Sequence, residues 1–355
     1  MQENRNYFTN RARNCAIKMQ ELKKDLPYYC VEFFVGIETK TTPLTRLNYA
    51  YDLRIFFDYL SKFCFTDKKP NQILLDDLNE LTSVDIEQFV SYLSFYEFNG
   101  KEVICNESAK SRKLSAVRSF FKYLFSRDLL KSDVASKVPV PKRHDKEIIR
   151  LDVNSTVNEV SDLIDTVSDG QGLSDRQKKF HELTKIRDLA IITLFLGTGI
   201  RISELVGLNF GDVDLENQSF VVTRKGGNRA ILYFGEEVYE ALYDYLIVSR
   251  GLDVKKDRDL PLFLSIQDKR MSVRAVENLV KKYASISTPL KKITPHKLRS
   301  TFGTNLYKQT GDIYVVADCL GHRDVNTTKK HYAAITEDIR REAISVVKLK
   351  KTDND

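Results

Sequence analysis

Between Lys131 and Arg150 the apolar residues lose their helical spacing, and Pro139, Pro141 and a cluster of bases take their place. Proline has no N–H to donate and pushes the residue before it toward extended backbone, so no continuous helix runs through this stretch. The break divides the 355 residues into two parts, each of ordinary domain size. The expected organisation is a helical domain over 14–127, a basic linker leading into the second domain over 128–165, and that second domain over 166–355 with a helix in its tail.

The first part reads as helices. Leu47, Tyr51, Phe56, Leu60 and Phe63 recur at helical steps in 44–63,. A second helix is expected over 84–93, with Thr82 or Ser83 as N-cap. A third is expected over 108–125, with Leu114, Val117, Phe120, Phe121 and Leu124 facing a core and Lys110, Lys113 and Lys122 pointing elsewhere,. The second part is mixed. Helices are expected over 153–167, 186–196, 236–250, 273–283, 296–309, 313–320, 326–332 and 336–347, with another starting at Ile202. Strands at 219–223 and 230–234 flank Gly226-Gly227-Asn228, which supplies the positive φ angles of a hairpin turn. The fold class is mostly α: an all-helical N-terminal domain, then a mainly helical domain with a small β-hairpin.

Several function classes are excluded. The longest apolar run, Leu189 to Leu196, is interrupted by Thr193 and falls short of the ~18 residues of a membrane-spanning helix. Residues 1–24 lack the apolar block of a signal peptide,. Five scattered cysteines read as reduced thiols and a cytoplasmic location. There is no Gly-rich phosphate loop, no dinucleotide fingerprint, no nucleophile-elbow serine and no metal-ligand spacing, so no cofactor or metal is expected. The net charge of +7 decides little, but its distribution is uneven. From Lys110 to Arg143 there are ten bases and two acids, whereas Asp52 to Glu97 holds nine acids and four bases. Such a basic edge suits either a phosphate backbone or plain solvation.

The candidate chemistry lies in the second part. His296 and Arg299 stand three apart just after Pro295, so they share a face near a helix N-terminus. They could grip one phosphate, or be a cap and a surface arginine. Gly321 can end a helix in the left-handed conformation, leaving His322 on a turn. Arg201 follows the turn Gly197-Thr198-Gly199 and precedes Glu204; it is either an anion clamp or a surface ion pair. Lys225 occupies the hairpin tip, and Tyr332 stands among Thr327, Thr328, Lys329 and Lys330.

Taken in order, Arg201, Lys225, His296, Arg299, His322 and Tyr332, with the local sequences GTGIRISEL, TPHKLRSTFGTNL and LGHRDVNTTKKHY, resemble the tyrosine site-specific recombinases of the lambda-integrase type. The first part is similar to that family's SAM-like core-binding domain, notably over 45–60 and 108–124. Length and texture are most similar to the Xer branch, above all to its systems in which one protein does the work of a pair. The resemblance implies that Tyr332 attacks a DNA phosphodiester and forms a 3′-phosphotyrosyl link. It implies that Arg201 and Arg299 bind the non-bridging oxygens and that His296 is a general base or phosphate partner. His322 would donate a further hydrogen bond, Lys225 would protonate the departing 5′ oxygen, and Glu204 would orient the site. Lys110, Arg112, Lys113, Arg118, Lys142 and Arg143 become candidates for facing DNA. The implied partners are double-stranded DNA with a specific site, a homo-tetramer on two duplexes, and the septal DNA translocase FtsK, with no membrane. The implied process is resolution of chromosome dimers; integration of a mobile element is the alternative. A tail over 336–348, with Ile339, Ala343, Ile344 and Val347 at helical spacing, is expected to pack on a neighbouring protomer. One departure is Ser300, where many relatives carry a second histidine.

Overall fold

The structure, a computed structural model, describes residues 7–141, 149–153, 158–224, 227–253, 256–321 and 325. The chain forms two compact units, Asn6–Lys146 and a second from Glu147 onward. Among the described residues no helix is long and apolar enough to cross a membrane.

The first unit runs α1 (Tyr7–Lys23), α2 (Tyr28–Gly36), α3 (Pro43–Phe63), α4 (Leu75–Glu80), α5 (Ser83–Tyr92), β1 (Tyr96–Phe98), β2 (Lys101–Val103), α6 (Glu107–Phe125) and α7 (Val134–Lys137). Helix α3 starts where the residues demand it. The Thr42 hydroxyl accepts the Thr45 N–H at 3.2 Å, and Pro43 takes the first helical position, where its missing N–H costs nothing. Its inward stripe is Leu47, Ala50, Leu53, Phe56, Phe57 and Leu60. Tyr51 and Phe63, expected in that stripe, face outward at 42% and 59% exposure; Leu53 and Phe57 take the inward places and restore the three-to-four-residue step. In α6 the five expected apolar residues are all buried, Lys113 joins them, and the Asn106 side chain caps the helix through the Ala109 N–H at 2.9 Å.

The core between these helices is aromatic. Tyr29, Phe33, Phe56, Phe57, Phe89, Phe120 and Phe121 are fully buried. Most of their rings meet edge to face, as in Phe56–Phe89 at 5.0 Å and Phe33–Phe120 at 5.3 Å, while Tyr29 stacks on Phe120. Such pairs add about 0.5–1.5 kcal/mol each beyond area burial. The hairpin β1–β2 is an addition to the all-helical expectation. It turns on Asn99 and Gly100, both at positive φ, the Asn-Gly chemistry of a two-residue turn.

The second unit runs α8 (Glu159–Asp169), α9 (Asp175–Thr198), α10 (Ile202–Leu205), β3 (Val213–Asp214), β4 (Ser219–Thr223), β5 (Arg229–Tyr233), α11 (Glu236–Tyr243), α12 (Val273–Ser287), α13 (Pro295–Thr310) and α14 (Ile313–Leu320). Helix α9 begins eleven residues before the expected 186, because its first half is charged and only its second half is apolar. That second half, from Ala190 to Phe195, is buried against α11 and α13. Asp188, 1% exposed, fastens α9 to α12: it accepts from the Tyr283 hydroxyl at 2.9 Å, Lys282 Nζ at 3.3 Å and Arg187 Nη2 at 2.6 Å. Four donors, counting the Thr184 hydroxyl at 3.1 Å, satisfy a carboxylate that would otherwise be costly to bury. Strands β3, β4 and β5 form one antiparallel sheet in that order. Phe220, Val222 and Leu232 point inward from it.

Candidate active site

Three chain segments meet at the C-terminal end of α14. The first is the turn between α9 and α10. Gly199 ends α9 at φ +60°, and a Cβ there would stand 2.4 Å from Phe302 Cδ1, so conformation and space both require glycine. The turn delivers Arg201 to the N-cap of α10. Glu204, 4% exposed, holds that arginine twice. Its carboxylate accepts the Arg201 backbone N–H at 3.0 Å and pairs with Nη1 at 2.9 Å. A charge-assisted grip on both the main chain and the side chain fixes the guanidinium.

The second segment is the first turns of α13. Pro295 opens the helix; His296 is exposed and Arg299, one turn later, is 6% exposed. The third is α14 itself, closed by Gly321 at φ +59°. Arg299 donates through Nη1 to the Gly199 carbonyl and through Nη2 to the Leu320 carbonyl. Arg201 Nη2 donates to the same Leu320 carbonyl at 3.2 Å and to that of Gly321 at 3.1 Å. The end of a helix leaves its last carbonyls without intrahelical partners and carries partial negative charge. Two guanidiniums satisfy that end here, and they are thereby held side by side. Arg299 is enclosed, whereas the Arg201 side chain is 36% exposed and can meet a ligand. Preorganised cations of this kind suit a reaction in which negative charge grows on phosphoryl oxygens.

Arg201, Glu204, Arg299 and the helix turn bearing His296 are thus brought together. Lys225, His322 and Tyr332 lie outside the described residues, as do Lys142, Arg143 and the expected tail helix. Sequence reasoning missed the carbonyls of Gly199 and Leu320, since main-chain acceptors have no residue type to betray them. It also passed over Arg224, whose guanidinium lies against Gly321.

The basic edge of α6 is less open than expected. Lys113, expected to point away from the core, is buried: its side chain is 8% exposed, with Nζ 3.3 Å from Asp52 Oδ1. Asp52 is 1% exposed, and Arg112 also pairs with it. Burial pushes the Asp52 carboxyl up, against the pull of Lys113 and Arg112. Lys110 pairs with Glu107 at 2.8 Å, and Arg118 donates to the Ser136 carbonyl at 2.9 Å. The described bases that stay exposed along this stretch are Arg112, Lys122, Arg127, Lys131 and Lys137.

Residues 155–338 match the model of the phage integrase family, and residues 32–128 that of the phage integrase N-terminal SAM-like domain. The chain is 33% identical over 325 residues to the tyrosine recombinase XerC of Caldanaerobacter subterraneus subsp. tengcongensis, across 89% of this chain and 84% of that protein. It is 31% identical over 350 residues to the tyrosine recombinase XerS of Streptococcus mutans, across 92% and 97% respectively. Among solved structures, the XerH site-specific recombinase bound to palindromic difH substrate superimposes with a TM-score of 0.59 at 19% identity, over 94% of each chain. That likeness concerns the fold.

Proposed function

The chain belongs to the phage integrase family of tyrosine recombinases, and from that premise we propose that it cuts and rejoins double-stranded DNA at one specific site through a 3′-phosphotyrosyl link to Tyr332. The Tyr332 oxygen attacks the scissile phosphorus, and the bond from phosphorus to the 5′ oxygen breaks. Lys225 gives that oxygen its proton, so a 5′-hydroxyl departs. His296 takes or shares the tyrosyl proton. Arg201, Arg299 and His322 bind the phosphoryl oxygens, and Glu204 keeps Arg201 in place. A 5′-hydroxyl from another strand then reverses the attack. The covalent link conserves the bond energy, so rejoining needs no nucleotide hydrolysis. A phenol with an ordinary pKa of ~10 needs such a cationic setting to react near neutrality.

The observation that carries this reading is the pairing of Arg201 and Arg299 on the Leu320 carbonyl. Two arginines 98 positions apart in the sequence are fixed beside each other on a carbonyl two residues before the expected His322. DNA as the partner is supported by the XerH relative, whose structure holds a DNA substrate. Likeness to the Xer recombinases favours resolution of chromosome dimers over integration of a mobile element; a homo-tetramer on two duplexes, the translocase FtsK and a cytoplasmic setting are further parts of the proposal.

The test is covalent capture. The protein is incubated with fragments of its own genome in EDTA, and DNA that remains attached after denaturation is sequenced. Recovery of one chromosomal sequence, lost with Tyr332→Phe while DNA binding persists, is the expected result. An adduct that survives Tyr332→Phe overturns the nucleophile. A requirement for metal overturns the mechanism. Recovery of the two ends of an inserted element assigns the activity to a mobile element instead of the chromosome.

A further inference from the structure

Arg224 has no part in the chemistry above, yet it precedes one of its residues in the chain and lies against the helix end that holds another. Its backbone closes the β4–β5 turn: the Arg224 N–H donates to the Asn228 carbonyl at 2.7 Å, and its own carbonyl accepts the Gly227 N–H at 3.1 Å. Lys225 is the next residue in the chain. The Arg224 side chain, meanwhile, leaves the hairpin for the end of α14. A Cβ on Gly321 would stand 2.3 Å from Arg224 Cζ and Nη1 and 2.7 Å from Nη2, so the guanidinium occupies the space that any side chain there would need. Gly321 is also the residue whose carbonyl holds Arg201, and His322 follows it.

The placement is not that of an ordinary turn arginine, which carries its charge into water. Arg224 Nε is buried and has no hydrogen-bond partner among the described residues. Buried donors without partners are rare in native structures and call for an explanation. An arginine kept there for packing alone would be better replaced by an apolar residue of similar reach.

We propose that Arg224 is a positioning residue for strand cleavage: seated on Gly321, it anchors the end of β4, which Lys225 follows in the chain, against the helix end that holds Arg201 and Arg299. This rests on the reading of Lys225 as the acid that protonates the departing 5′ oxygen. With Arg224 removed, the phosphate-binding arginines remain, but the chain leading into Lys225 loses its anchor on that helix end.

The test compares two nicked duplexes carrying the site recovered by covalent capture. One has the natural 5′-bridging oxygen, the other sulfur at that position. An alkoxide needs its proton on leaving, whereas a thiolate, from a thiol with a pKa of ~8.5, leaves without one. Arg224→Ala is expected to slow the oxygen substrate by about tenfold to a hundredfold, part of the ~10²–10⁴ that a general acid supplies. It should leave the sulfur substrate near the wild-type rate. Lys225→Ala should show the same pattern more strongly. Arg224→Lys, which keeps the charge without the flat guanidinium, should not restore the oxygen rate. Should Arg224→Ala fail to fold, Arg224→Gln takes its place, with equal melting curves as the control. An equal loss on both substrates, or none on the oxygen substrate, overturns the proposal. If sulfur rescues Lys225→Ala but not Arg224→Ala, the proposal alone fails. If sulfur rescues neither, the assignment of Lys225 fails and takes the proposal with it.

Discussion

Arg201 and Arg299 share one acceptor, and each has a second support of its own: Glu204 for the first, the Gly199 carbonyl for the second. Arg201→Ala and Arg299→Ala are therefore expected to depress cleavage far more than DNA affinity, measured as adduct formation against gel shift. Equal losses would mean that the two only hold DNA. Glu204→Gln keeps the shape of the side chain and removes its charge. It is expected to slow cleavage about tenfold, the equivalent of one charge-assisted hydrogen bond of ~1.4 kcal/mol, with unchanged affinity. Gly199→Ala tests the turn. A positive φ costs a non-glycine residue about 1–2 kcal/mol, and Phe302 must also move, so the melting temperature should fall by about 2–8 °C at the usual 2–4 °C per kcal/mol. Arg201, Glu204, His296 and Arg299 could be picked out as candidates because each sits in a recognisable local sequence. Their common anchor could not, because every residue has a carbonyl and only folding selects which one is used.

At the scale of elements, the spacing of apolar residues found α3, α5, α6 and α14 almost to the residue, and it failed where charge or turn chemistry dominates. The first half of α9 is polar enough to hide from an apolar pattern, and the β1–β2 hairpin is too short to show alternation, although Asn99-Gly100 marks its turn. Lys113 misled for a different reason: a lysine at helical spacing looks solvated until a buried aspartate sixty-one positions earlier claims it. Lys113→Met should destabilise the first unit by about 2 kcal/mol, because buried Asp52 keeps only Arg112 of its two cations,. It should leave the dependence of DNA affinity on salt unchanged, whereas loss of a phosphate contact lowers that slope by about one. Helix α4 supplies a pH test. Asp77 accepts the Leu74 N–H and pairs with Lys68, both at the entry to that helix. Burial works to raise its carboxyl, but the Lys68 and Leu74 contacts outweigh burial and leave it below the usual carboxylate value of 3.8. A pKa lowered by folding stabilises the fold above that value, and the benefit disappears as pH falls through the lowered one. Asp77→Asn should cost about 1 kcal/mol at pH 7, and urea midpoints should show its gap from the wild type closing below about pH 4.

Across the whole molecule, the loss of periodicity and the prolines at 139 and 141 mark a break in the sequence, and the structure forms two compact units, one of them Asn6–Lys146. The overall charge was a weaker guide. Of the bases from Lys110 to Arg143, several are committed to partners inside the protein, and Arg112, Lys122, Arg127, Lys131 and Lys137 remain the exposed ones among those described. Burial decides which charges are available, and a net charge carries no information on burial.

The Leu320 carbonyl receives donors from two arginines on different helices, and that gives the site a built-in reporter. Hydrogen bonding weakens a C=O stretch, so a ¹³C label on this single carbonyl should absorb at lower frequency than the same label on a neighbouring helical carbonyl while both arginines are docked. Any state in which α14 draws back would shift the band upward, making assembly of the site visible by infrared spectroscopy without DNA, cleavage or an added dye.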